Sequence, residues 1–78
     1  MAQGFTKAAQ ALLKEEARRD GKFLFRAYSK GVCEDCGLCQ TPKDVEQAFD
    51  VWLQTPGFTG LLVATDSNGR LYNRVEVL

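Results

Sequence analysis

Cys33, Cys36 and Cys39 stand at C-x-x-C-x-x-C spacing in the stretch Lys30-Gly-Val-Cys-Glu-Asp-Cys-Gly-Leu-Cys-Gln-Thr-Pro42, and they are the only cysteines in the chain. There is no histidine. Three thiols so close together can ligate a metal, hold a cluster or run dithiol redox chemistry, and each of these needs a further partner. Structural zinc takes four ligands in a tetrahedron. Here the fourth would have to be Asp35, Asp44 or a group from a second chain. Redox chemistry needs a thiolate stabilised by a helix N-terminus or a nearby cation. The remaining reading is a loop with incidental thiols, small enough to pack beneath a helix. We retain that reading, in which no cofactor is expected. The alternative is a thiol-redox or metal-binding module (zinc or iron–sulfur) built on Cys33, Cys36 and Cys39.

Two local resemblances accompany the alternative. The segment Cys33–Cys39 is similar to the first three ligands of a bacterial ferredoxin run, but Gln40-Thr-Pro-Lys43 stands where the fourth cysteine should follow. Cys36-Gly-Leu-Cys39, placed between a strand and a helix start, resembles the C-G-P-C of thioredoxin-like proteins. A helix cap at Thr41 would leave Cys36 outside the first turn, and Glu34 and Asp35 would oppose a thiolate.

Nothing else in the chain suggests catalysis. It has no serine-centred elbow and no glycine-rich phosphate loop, and Glu46 and Asp50 read as solvated helix surface. No enzymatic activity is expected. Lys22, Arg26 and Lys30 interleave with Phe23, Phe25 and Tyr28, the residue mix of a single-strand nucleic-acid platform. A pI of about 6.2 is low for that role, and strand aromatics beneath helices are normally buried, so direct nucleic-acid binding is not expected. Tyr28, Tyr72, Arg26 and Arg74 are expected together on the open face of the sheet.

The elements that would position these residues follow from periodicity. Phe5, Ala8, Ala9, Leu12, Leu13 and Ala17 recur at helical spacing, with Thr6 as N-cap and Gly21 after the last turn, which predicts a helix over about 6–20. The aromatic run 22–29 predicts a strand with Phe23, Phe25 and Ala27 on one face and Leu24, Arg26 and Tyr28 on the other. After the cysteine loop, Thr41-Pro42-Lys43-Asp44 supplies an N-cap, a proline in the first turn and a capping-box acid. Val45, Ala48, Phe49, Trp52 and Leu53 then form one apolar stripe, ended by Thr55-Pro56-Gly57. Residues 60–65 and 70–77 flank Asp66-Ser-Asn-Gly69, a hairpin in which Asn68 and Gly69 are expected to take positive φ. Leu62 and Ala64 should share a face with Leu71, Val75 and Val77. The expected fold is a small α+β single domain spanning 1–78, order αβαββ. Both helices would lie on one face of a three-stranded sheet, over one core of Phe49, Trp52, Leu53, Leu12, Phe25, Leu62 and Val75.

Charge is unevenly spread over a chain with no net charge. Residues 1–32 carry seven cations against three anions, a net of +4, whereas residues 33–58 carry Lys43 against Glu34, Asp35, Asp44, Glu46 and Asp50, a net of −4. Such polarity either holds two parts of the fold together or marks a contact surface. No apolar run approaches the roughly 18 residues of a membrane span, and the first residues lack the apolar core of a signal peptide, so a cytoplasmic chain without membrane association is expected. The odd number of thiols agrees with that compartment.

A small αβαββ chain with polarised charge and no catalytic set resembles the phage-encoded inhibitors of bacterial defence, anti-CRISPR proteins above all. Asp44-Val-Glu-Gln-Ala-Phe-Asp-Val-Trp-Leu-Gln-Thr-Pro-Gly57 is similar in kind to the acidic amphipathic helix, with an aromatic pair and a Pro-Gly stop before a strand, of one type I inhibitor. The resemblance implies a monomer or small homo-oligomer that binds a larger protein or nucleoprotein complex with a basic surface. In that role Glu34, Asp35, Asp44, Glu46 and Asp50 would make the contact.

Overall fold

The computed structural model describes residues 4–78. Its elements are α1 (Lys7–Asp20), β1 (Phe23–Ser29), β2 (Val32–Cys39), α2 (Pro42–Leu53), β3 (Gly60–Thr65) and β4 (Leu71–Val77). The four strands form one antiparallel sheet in the order β2-β1-β3-β4. The expected three-stranded sheet is thus corrected to four strands, because the cysteine stretch is not a loop but the edge strand β2.

The helix caps form as their residues dictate. Thr6 accepts a hydrogen bond from the Ala9 N–H, and Gly21, at φ 66°, donates its N–H to the Ala17 carbonyl. On α2 the reciprocal capping box is complete: Thr41 Oγ1 accepts from the Asp44 N–H, and Asp44 accepts from the Thr41 N–H. In the β3–β4 turn only Gly69 has positive φ, and Asn68 does not. Asp66 organises that turn instead, its Oδ1 accepting from the N–H groups of Asn68 and Arg70. Gly60 is required by close approach, since a Cβ there would run into the Tyr28 carbonyl on β1.

The helices lie on opposite faces, which overturns the expectation that both cover one. Leu24, Cys33 and Cys36 are buried with Ala17 of α1, and Leu13, Tyr28 and Leu38 pack around them. Phe25, Ala27, Cys39, Leu62 and Ala64 are buried with Val45 and Phe49 of α2. Leu24 and Phe25 are consecutive residues of a central strand, so their side chains leave the sheet in opposite directions. A strand apolar on both faces must be covered on both, and two helices divide the work into three layers. Trp52 and Val75 are partly buried against the α2 cluster. Leu12 and Leu53, expected in the core, are 73% and 46% exposed, the sheet-facing stripe of α1 running through Leu13 and Ala17 instead.

Tyr28, Arg26, Arg74 and Tyr72 do not form one open patch. Tyr28 is partly buried beside α1, with its hydroxyl 3.5 Å from Gln10 Oε1. Tyr72 packs on Phe23, ring centroids 4.7 Å apart, on the α2 side. A register shift between Ala64 and Thr65 also separates Leu71 from the face shared by Leu62 and Val75.

Candidate functional site

The placement of the thiols depends on one irregularity. Asp35 is opposite Ala27 and Cys33 is opposite Tyr28, so Glu34 is an extra residue bulged out of the ladder. In a regular strand, residues three apart point to opposite faces. The bulge cancels that rule between Cys33 and Cys36, which share the α1 face. It does not act between Cys36 and Cys39, so Cys39 lies on the α2 face. The three thiols therefore straddle the sheet and cannot converge on one ion. Among the described residues no group of three or more Cys, Asp or Glu side chains is arranged to hold a metal.

All three thiols are free and buried. Cys33 donates to the Asp35 carbonyl across 3.3 Å. Burial pushes the Cys36 thiol up to about 11, with the neighbouring Cys33 adding to the rise and Arg26 opposing it. Cys33 is raised by burial against the pull of Arg26, and Cys39 is raised by burial and then by Asp44 and Asp35. These shifts run opposite to those of a reactive dithiol, whose nucleophile is a thiolate. Arg26, placed opposite Cys36, has a buried Nε with no hydrogen-bond partner among the described residues.

The five acidic residues separate into two groups by what their side chains do. Asp35 projects to the α2 side, where its Oδ2 accepts from the Trp52 indole N–H at 3.0 Å. Asp44 is committed to the α2 capping box. Glu34, Glu46 and Asp50 are exposed and make no ion pair among the described residues. The link from Asp35 to Trp52 joins the edge strand to α2, seventeen positions apart, and Trp52 also packs on Phe58 at 5.0 Å between ring centroids. Trp52→Phe keeps most of the packing and removes the indole donor, so a loss of about 1 kcal/mol is expected in denaturant unfolding. An unchanged midpoint would show that the bond contributes nothing to stability.

The acidic helix α2 lies across the sheet from α1, which carries four cations against three anions, a net of +1. The α1 cations are partly neutralised locally: Arg18 pairs with Glu15 at 2.6 Å and Arg19 with Asp20 at 3.2 Å. Helix α2 carries Lys43 against Asp44, Glu46 and Asp50, a net of −2, without comparable pairing. The strand pairing of β2, the Lys30-Gly31 turn that launches it and the Trp52–Asp35 contact all lay beyond the sequence reading. The only local signal was the glycine at position 31, which has φ 78° after Lys30 at 53°, the two positive angles of a tight hairpin.

Fold and surface together define a three-layer α+β domain with an acidic helix on one side and, on the other, a helix of mixed charge whose arginines are paired within it. Comparison with protein-family models, with curated proteins and with solved structures yields no match. No helix among the described residues is long and apolar enough to cross a membrane.

Proposed function

We propose that this chain is a non-enzymatic protein-binding domain, acting in the cytoplasm, that inhibits or regulates a larger protein or nucleoprotein complex in the manner of an anti-CRISPR protein of phage origin. Its α2 side engages a basic surface of that complex, Glu34, Glu46 and Asp50 supplying free negative charge. The observation that supports this reading is the acidic surface of α2, without an ion pair among the described residues and set apart by the sheet from α1, whose arginines are already paired, with the exposed Glu34 at the β2 edge. Carboxylates presented this way can stand in for phosphates before a Lys/Arg channel, steering association and excluding nucleic acid. Asp35 and Asp44 add to the local field while holding Trp52 and the helix cap. A module working through thiols instead would rest on Cys33 and Cys36, which share one face beside Arg26. Their raised pKa values count against that second reading.

The test is phage restriction in bacteria carrying an active type I CRISPR–Cas system. Expression of the chain is expected to restore plating of a targeted phage, and the variant Glu34→Lys/Glu46→Lys/Asp50→Lys to lose that effect while remaining folded. Binding of the purified chain to the effector complex should weaken with salt, as exposed charges are screened beyond about 8–10 Å. Arg18→Glu/Arg19→Glu should change little. No rescue of plating would reject the inhibitor reading, and the reverse ranking of the two charge variants would move the contact to α1.

A further inference from the structure

The two edges of the sheet differ. Strand β2 is broken by the Glu34 bulge, flanked by Glu34 and Asp35, and partly covered where Phe5 donates its N–H to the Cys33 carbonyl at 2.7 Å. Such features block further strand addition. Strand β4 has no bulge over Asn73–Val77, where its register with β3 is continuous, and its charges there are of both signs, Arg74 and Glu76. Among the described residues its outer edge has no neighbouring strand, and the Arg74 N–H donates to the adjacent Asn73 Oδ1 at 2.8 Å, an exposed side chain that an incoming strand would have to displace. Neither proline nor lysine guards that edge.

The side chains of β4 are self-complementary. Arg74 and Glu76 lie opposite Val63 and Leu61, on the α1 side of the sheet, and approach each other to 3.7 Å. Val75 and Val77 lie opposite Leu62 and Gly60, on the other side. We infer that a second copy of this chain adds to β4 in antiparallel fashion about a two-fold axis through Val75, forming one continuous eight-stranded sheet. That register sets Arg74 of each copy directly across from Glu76 of the other, so four charges alternate in sign. Shifting the centre by one residue places Arg74 across from Arg74, or Glu76 across from Glu76, and like charges directly opposite are destabilising. The charge pattern thus selects one register of the three.

The symmetry has a consequence for the surface. A two-fold axis normal to the sheet keeps both α1 helices on one face and both α2 helices on the other, so the dimer presents two acidic helices to the same side. The pairing itself stands on β4 alone and does not depend on what the acidic helices bind.

The experiment is sedimentation equilibrium of the purified chain over micromolar to millimolar concentration. The expected result is a reversible dimer of about twice the 8.7 kDa chain mass. Arg74→Glu and Glu76→Arg, each made alone, set like charges across both symmetric contacts and should raise the dissociation constant by roughly tenfold or more. The exchange variant Arg74→Glu/Glu76→Arg restores opposite charges across the axis and should recover the wild-type constant. Circular dichroism on each variant separates loss of pairing from loss of fold. A chain that stays monomeric at millimolar concentration would overturn the dimer. Single reversals without effect, or an exchange that fails to restore association, would overturn this register.

Discussion

Phe49→Ala is expected to cost about 3–5 kcal/mol of folding free energy and Leu24→Ala about 2–5 kcal/mol. The two residues belong to different clusters, one on each face of the sheet. Phe49 is buried against Phe25, ring centroids 5.4 Å apart, and truncation would empty the space between α2 and the sheet. Leu24 is among the most fully buried side chains and sits beneath Ala17 of α1. Stability for a chain of this length is about 4–12 kcal/mol, so either change removes a large fraction of it. Leu12→Ala is the control, because Leu12 points into solvent, and it should fall within about 0.5 kcal/mol of wild type. Urea unfolding followed by far-UV circular dichroism reads all three. A Leu12→Ala loss larger than that of Leu24→Ala would reject the assignment of the α1 face.

The second large effect is alkaline destabilisation through the buried thiols. In the folded chain Cys36 is pushed up to about 11, from an ordinary 9.0, mainly by burial. The folded state therefore keeps its proton after the unfolded state has lost it. Between about pH 9 and 11 the unfolded chain binds fewer protons than the folded one, so stability falls as pH rises. The contribution is fully present below pH 9 and is lost as pH passes the folded value. Cys33 and Cys39 act in the same direction. Cys36→Ala removes one titrating group, and its unfolding free energy should decline less steeply than that of wild type over this interval. The rest of the chain is the same in both proteins, so the difference in slope reports the Cys36 thiol. Equal slopes would mean that Cys36 ionises alike in both states.

Much of the local structure was legible in the residues themselves. Thr6, Gly21, Thr41, Pro42 and Asp44 mark helix ends through their own side chains and backbone, and α1 begins and ends, and α2 begins, where those signals place them; α2 ends at Leu53, just before the Thr55-Pro56-Gly57 stop. The alternation in residues 22–29 sorted Phe25 and Ala27 from Leu24 and Tyr28 correctly, because a central strand without a bulge obeys period two. That same alternation left both faces of β1 apolar, a pattern that already required cover on both sides. Reading one sheet face as open obscured it.

What only the tertiary structure decided was the identity of the cysteine segment and the layer to which each helix belongs. Val32–Cys39 lacks a regular period because Glu34 is inserted between its two paired stretches, and a bulge is defined by the partner strand rather than by the bulged one. The positions of Cys33 and Cys36 on one face and Cys39 on the other follow from that pairing, as does the division of the acidic residues. Asp44 could be assigned to its cap from the sequence, since its partner is three residues away. Asp35 could not be assigned to Trp52, since that contact exists only once β2 lies beside β1 and α2 folds over them. The sequence determined the interactions that span one helical turn or one tight bend. Contacts between distant segments were decided by the register of β2 on β1 and by which face of the sheet each helix covers.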